Sequence, residues 1–442
     1  MTLAQPVYAD PAALLQRLIR FDTSNPPGNE GPALLFIAEL LGEAGLESTI
    51  LAKQEDRPNL ITRLPGRGEA PPLLLYGHVD VVPAVDQNWT HPPFSGKLID
   101  GQVWGRGAVD MKGGLAMMIS ALLRVAAEGP EPAGDIVLAV LADEEAAGTM
   151  GAQFLVEEHP QHFAGIRHAL GEVGGYTFHL AGRRFYPIQV TEKALCWMKA
   201  TFHGPGGHGS RPFSGGAMAK LGQFLTILDR QALPVHITPP VQKMVQGLTA
   251  SLPEEIAALL EKLLDPQQAD EALREMVDLA PNLALLRALV RNTVSPTVVR
   301  GGSKVNVIPS IVTLELDGRL LPGYTEVDML AELGELVGDL ADIEILRHET
   351  GTSEADMSWF EPLGDILREL DPGAEPIPFM LAGVTDGRFF RRLGIQTYGF
   401  TPLKLPPQFP FGKMAHAADE RVPVEALTFG AEAVYQALIR YR

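Results

Sequence analysis

Cysteine is almost missing from this chain: Cys196 is the only one in 442 residues. One thiol excludes an intramolecular disulfide and a thiolate metal cluster, and it suits a reducing compartment. Positive charge is scarce as well. Against 54 Asp and Glu stand 36 Lys and Arg, a formal net charge of -18, which argues against a nucleic-acid backbone or an anionic membrane surface as partner. A small anionic substrate stays admissible, because a few arginines can reverse the field inside a cleft. Long apolar runs are missing too: none approaches the ~20 residues that a bilayer-spanning helix needs. The opening MTLAQPVYAD has no basic stretch leading into an apolar core, so no signal peptide is expected. Repeats and low-complexity segments are also lacking. The expectation is a soluble, cytoplasmic protein with neither nucleic acid nor membrane as partner.

At this length two domains are the default. The stretches LLLYGHVDVVP (73–83) and IVLAVLA (136–142) are continuous apolar runs, which read as strands of a largely parallel sheet covered on both faces. Strands at 48–52, 59–64 and 167–170 alternate with helices at 10–21, from Glu30 to about Glu43, at 112–128 and at 148–159. That rhythm indicates an α/β domain. Asp100-Gly101 between two short strands is a hairpin signal. Near Thr191 the pattern changes. Strand-like stretches at 194–203, 297–300, 304–308, 311–316 and 342–347, with helices near 216–230 and 325–339, suggest a small α+β layer. Between its parts, residues 234–292 are rich in Leu, Ala, Glu and Lys and read as a helical insertion. From Glu354 the α/β rhythm returns, with strands at 377–381 and 395–400 and a last helix from Val422. The economical account is one α/β domain, residues 1–191 and 350–442, interrupted by an inserted α+β domain, residues 192–349.

His78 and Asp80 lie two apart at the C-terminal end of the first apolar strand, so an extended backbone turns them to one face. In open α/β sheets that end is where ligands bind. A neutral imidazole steadied by a carboxylate ligates metals well; a histidine simply satisfied by its neighbour is the plain alternative. Asp110, in GRGAVDMKGG, stands between glycines ahead of a helix, where it either caps that helix or approaches a ligand. Asp143-Glu144-Glu145 follows the second apolar strand. Three adjacent carboxylates repel unless solvated or bound to cations. With a metal present, one can ligate while its neighbour serves as general base toward a water. Glu172 follows another short strand, and His416, in KMAHAADE, has Glu420 four residues on. Two histidines with at least three carboxylates, and no thiolate, form a donor set suited to Zn²⁺, Co²⁺ or Mn²⁺.

In this order and spacing GHVDVVP, GRGAVDMKGG, DEE, the GE after a strand and HAADE resemble the motifs of the di-zinc metallopeptidases and deacylases. That family includes acetylornithine deacetylase, succinyl-diaminopimelate desuccinylase, aminoacylase, glutamate carboxypeptidase and carnosinase. The resemblance runs from FDTSNPPGNE (21–30) to the C-terminal helix. It implies that the α/β part, with helices on both faces of its sheet, is catalytic. The inserted part, with its extra helices, would be a lid and dimerisation domain in a homodimer. It implies two divalent metal ions per chain, Zn²⁺ foremost. His78 and Glu172 would hold one, Glu145 and His416 the other, and Asp110 would bridge both. Asp80 would orient His78, and Glu144 would be the general base. Glutamate at 172 matches the deacetylase and desuccinylase branch.

In the inserted domain, His208 in GPGGHGSRP corresponds to the histidine that steadies the tetrahedral oxyanion. Asn306 in KVNVIP and Arg319 in LDGRLLPG correspond to residues that help bind the substrate's carboxylate. An arginine does this through a bidentate fork; a local acid as its partner is the alternative. Gly383 and Thr385, in GVTDGR, match a second substrate-contacting loop, where Val384 departs from the usual GG[ST]. KLPPQFPFG (404–412) reads as a wall of an apolar acyl or side-chain pocket. The implied function is hydrolysis of an amide bond next to a free carboxylate, foremost in an N-acyl-amino acid. A dipeptidase or carboxypeptidase acting on a short peptide is the alternative, and a non-catalytic peptide- or metal-binding protein the remote one.

Overall fold

A computed structural model describes residues 7–279, 281–349, 351 and 354–442. In chain order its principal strands are β1 (Ser48–Ala52), β2 (Pro58–Leu64), β3 (Leu73–His78), β4 (Ile136–Leu141), β5 (His168–Gly171) and β6 (Arg183–Glu192). They continue with β7 (Ala194–His203), β8 (Thr293–Gly301), β9 (Ile311–Leu320), β10 (Asp342–His348), β11 (Ala374–Leu381) and β12 (Gln396–Gly399). The chain divides into two units. One holds Met1–Val190, Asp356–Phe379 and Thr385–Arg442, the other Thr191–Ala355 with Met380–Val384. The inserted unit therefore runs past Glu349 to Ala355, and it recruits a short later segment that periodicity does not reveal.

The first unit is built on a mixed sheet in the order β1-β2-β4-β3-β5-β12-β6-β11. Its centre, β4-β3-β5-β12, is parallel, and antiparallel neighbours flank it. Leu73, Leu74 and Leu75 are wholly buried, each contributing about 1.5–3 kcal/mol of apolar burial. Alternation sends Leu74, Tyr76, Val137, Ala139 and Leu141 toward Phe154, Leu155, Phe389 and Phe390. On the other side the helix Lys112–Glu128 comes so close that a Cβ on Gly77 would lie 2.4 Å from Met111 Cε. A side chain next to His78 would have to push the end of Met111 aside. At the Asp100-Gly101 hairpin both residues have positive φ, 49° and 72°, as a type I′ turn demands.

The strand β6 is absent from the periodicity reading because Pro187 interrupts its apolar run, and proline usually argues against a ladder position. Here the Pro187 carbonyl accepts from Gly175 N–H, and the strand tolerates the missing donor. The late strand β12 lies between β5 and β6. Its Gly399 is seated against the loop after β5, where an added Cβ would lie 2.5 Å from the Glu172 carbonyl oxygen.

The inserted unit is an antiparallel sheet in the order β8-β9-β7-β10. Phe202, Val312 and Leu314 pack with Phe224 of the helix Ala217–Arg230 and with Met329 and Leu333 of the helix Glu326–Val337. Thr325 and Asp328 cap the second of these helices reciprocally. The insertion folds as helices Pro239–Thr249, Glu254–Leu263 and Ala269–Leu279, anchored by His236 Nε2 and Glu332 at 2.7 Å. Among the described residues no helix is long and apolar enough to cross a membrane.

Candidate metal centre

The C-terminal ends of β3, β4 and β5, the loop ahead of the helix Lys112–Glu128 and the loop before the last helix bring five of the expected side chains together. His78 Nε2 lies 3.1 Å from Asp110 Oδ1 and 3.4 Å from Glu172 Oε2. His416 Nε2 lies 3.3 Å from Asp110 Oδ2 and 3.1 Å from Glu145 Oε2. Asp110 therefore turns one oxygen to each imidazole. Two three-residue sets result, His78/Asp110/Glu172 and Asp110/Glu145/His416, with all ligand atoms of a set within 4.8 Å of one another.

Several observations make this donor set fit a pair of divalent cations. A ring nitrogen carries at most one hydrogen, yet each Nε2 faces two carboxylates. Among the described residues Glu145 Oε1, though buried, has no hydrogen-bond partner, whereas such a group ordinarily has one. The donors are imidazole and carboxylate only, the chemistry that suits Zn²⁺, Co²⁺ or Mn²⁺.

The electrostatics bear the same mark. Hydrogen bonds donated to the Asp110 and Glu145 carboxylates push the His416 imidazole up to about 10. Burial works against the charged form of His78, but Asp110, Asp80 and Glu172 outweigh it and hold that ring well above the ordinary imidazole range. Burial also disfavours a charged Asp110, yet its two imidazole partners hold the carboxyl well below the usual range. Glu144 and Glu172 are pushed upward, chiefly by burial and further by the surrounding carboxylates.

Asp80 has a different geometry from the one expected. His78 Nδ1 is 2.9 Å from the Asp80 backbone carbonyl and 3.5 Å from its carboxylate. The carbonyl is thus the closer partner steadying the ring. The carboxylate instead accepts from Glu144 N–H and Glu145 N–H, both at 3.2 Å, and from Asn25 Nδ2 at 2.8 Å. Asp80 therefore joins the His78 strand to the turn that carries the two glutamates.

That turn is strained, with Asp143 at φ 69° and Ala147 at φ 95°. It is held at both ends. Asp143 accepts from Asn25, Arg57, Thr149 and Met150 N–H. At the far end Arg388 donates to the Ala147 carbonyl at 2.8 Å and to the Thr385 carbonyl at 3.0 Å. His416 also has positive φ, 64°. Its carbonyl accepts from Gln87 at 2.9 Å, and Arg106 donates to the next carbonyl, Ala417, at 3.0 Å. Glu420, wholly buried, accepts from Arg106 and from the N–H groups of Gly107, Val109 and Asp110. One carboxylate thus ties the Asp110 loop to the His416 segment.

Other expected residues fare unequally. In the inserted unit the ladder of His208 with Val307 puts His208 beside Asn306, whose carbonyl accepts from Gly209 N–H at 2.8 Å. Arg319 is clasped by Asp317, with Nε–Oδ1 at 2.7 Å and Nη2–Oδ2 at 3.0 Å, so its fork is already filled by a local acid. Gly383 belongs to the inserted unit by contacts. Thr385 is buried, and its hydroxyl accepts from Gly387 N–H at 3.0 Å; it shapes a turn and offers no exposed surface to a substrate. The next residue, Asp386, was not singled out by sequence reasoning. It is 1 % exposed, neither carboxylate oxygen is hydrogen-bonded among the described residues, and burial pushes it up to about 8. A cleft of about 1200 Å³ is lined by Leu405, Pro406 and Phe409 with Leu180, Val424 and Phe429. It takes in part of 404–412, but none of the imidazole–carboxylate cluster lines it.

A mixed α/β unit with this cluster beside the carboxyl ends of its parallel strands has the build of a metal-dependent hydrolase. Residues 74–440 match peptidase family M20/M25/M40, and the chain belongs to that family. It is 43% identical over 149 residues to succinyl-diaminopimelate desuccinylase of Paracoccus denitrificans, covering 34% of this chain and only 38% of that protein. It is 25% identical over 440 residues to aminoacylase-1 of Sus scrofa, covering 96% and 93% of the two chains. Among solved structures it is similar to an M20 family metallo-carboxypeptidase from Sulfolobus solfataricus, with TM-score 0.71, 16% identity and 99% of each chain covered. A dinuclear metal-binding peptidase of the M20 family from Bacillus subtilis gives TM-score 0.60 at 15% identity, covering 98% of this chain and 99% of that one.

Proposed function

We propose that this protein is a two-metal hydrolase that cleaves an amide bond next to a free carboxylate, foremost in N-acyl-amino acids. The observation that carries the reading is Asp110, one oxygen toward each imidazole–carboxylate set. The similarity to a desuccinylase and an aminoacylase supports an acylated amino acid as substrate. The likeness to a metallo-carboxypeptidase keeps a short peptide as the second reading.

His78 and Glu172 would hold one cation, Glu145 and His416 the other, with Asp110 between. When bound, such a pair polarises a carbonyl and acidifies a water. The chain's own groups do the rest. Glu144 takes the proton of the attacking water and passes it to the departing amine; its burial raises its proton affinity toward that task. Asp80, through the N–H groups of Glu144 and Glu145, keeps that base in register with His78. His208 donates to the oxyanion, and Asn306 beside it meets the substrate's carboxylate. Arg319 would join Asn306 only by leaving Asp317.

A panel of N-acetyl, N-succinyl and dipeptide substrates, assayed with Zn²⁺, Co²⁺ and Mn²⁺, tests the reading. Turnover confined to dipeptides would replace the deacylase by a dipeptidase, and no metal-dependent turnover of any of them would end both. The proposal includes a cytoplasmic homodimer with zinc resident. A solution mass of one chain would remove the dimer.

A further inference from the structure

His208 sits on a two-strand ladder, Gly207 opposite Ile308 and His208 opposite Val307. The turn beyond it is tied down. Gly209 N–H donates to the Asn306 carbonyl at 2.8 Å, and Arg211 N–H to the His208 carbonyl at 2.9 Å. Gly209 has little room for a side chain, since an added Cβ would lie 3.2 Å from the Asn306 carbonyl oxygen. The ring projects from this frame into solvent. Its Nδ1 meets Ser210 twice, the hydroxyl at 2.8 Å and the backbone N–H at 3.2 Å. Among the described residues no hydrogen bond engages Nε2.

A peptide N–H can only donate, so Nδ1 must accept. The neutral ring has one N–H, which is then on Nε2. The Ser210 hydroxyl, facing the same lone pair, donates as well. We infer that Ser210 is a positioning residue that locks His208 in the Nε2–H tautomer, with Nε2 as a pre-set donor at the open edge of the ring. This rests on the reading of His208 as the oxyanion donor. A free imidazole exchanges tautomers and turns about its side-chain bonds. The Ser210 contacts restrain both before substrate arrives, as a preorganised donor requires.

Nitrogen NMR of the full chain, labelled at the imidazole nitrogens and assigned with His208→Gln, reads the tautomer directly. The expected spectrum has an unprotonated, hydrogen-bonded Nδ1 and a protonated Nε2. Ser210→Ala, which loses the 2.8 Å hydroxyl contact but keeps the longer 3.2 Å one from the backbone N–H, shifts these signals part of the way toward the tautomer average. It should lower kcat about tenfold with KM and metal content unchanged, short of the roughly 10²–10³ lost with a whole oxyanion donor. Ser210→Thr restores both. A protonated Nδ1 in the native protein, or signals that Ser210→Ala does not move, overturns the inference. Signals that move while kcat does not leave the tautomer control standing and remove His208 from the oxyanion.

Discussion

Glu144 and Glu145 are neighbours in unlike settings. Glu145 shares His416 with Asp110, whereas Glu144 belongs to neither three-residue set. Replacing Glu144 by Gln should therefore leave metal content intact and lower kcat by about 10²–10⁴, the range for a general base. Near-normal turnover with full metal content would remove it from that role. His416 gives a pH dependence with a definite sign. Its pKa of about 10 in the metal-free protein means the ring carries a proton at neutral pH that an incoming cation must displace. Metal affinity should rise with pH, by up to about tenfold per unit until the ring's own pKa is reached, with proton release on binding. Calorimetry in buffers of different ionisation enthalpy measures that release. The same raised pKa stabilises the metal-free fold most below the ordinary imidazole value, and this contribution is lost as pH rises toward 10.

The turn 143–148 shows how supporting segments shape chemistry. Arg388 lies far along the chain, yet its guanidinium bridges the Ala147 and Thr385 carbonyls. Arg388→Ala frees an Ala147 held at φ 95°, and a misplaced base is costly because even about 1 Å of displacement can lose 10²-fold in rate. The expected result is a kcat about tenfold lower with little change in KM. Arg388→Lys should fail to rescue it, since an ammonium lacks the planar fork. An unchanged kcat in Arg388→Ala would show that the turn stands without this clamp. His78, Glu145 and Glu172 are legible in the sequence because they follow strands marked by apolar runs, and Asp110 and His416 because of the motifs around them. Asn25, Arg57, Arg388 and Asp386 are not, because what recommends them is their surroundings in the fold, set by groups far away in the sequence. Thr385 and Arg319 show the converse: motif position suggested substrate contact, while the fold turns one inward and hands the other to Asp317.

All five proposed ligands lie in the unit made of Met1–Val190, Asp356–Phe379 and Thr385–Arg442, and none in the inserted unit, which has its own apolar core. Cations that bind only the folded state stabilise it by mass action, about 2.7 kcal/mol at a hundredfold excess over Kd. Calorimetric unfolding should therefore resolve two transitions, and chelation should lower only one. A chelator that moved both equally would mean the units melt together.

The strand β12 also has a history. It occupies the slot between β5 and β6 and seats the loop bearing Glu172, yet roughly two hundred residues separate it from β6, or about 10–40 s of synthesis at 5–20 residues per second. Until Gln396–Gly399 emerges, β5 and β6 expose unpaired backbone edges on the ribosome, and His416 does not yet exist. A nascent chain stalled within the inserted unit would present the sticky centre of a sheet to whatever is nearby, making it a natural client for chaperones. No truncated product would leave the ribosome with a working hydrolytic centre.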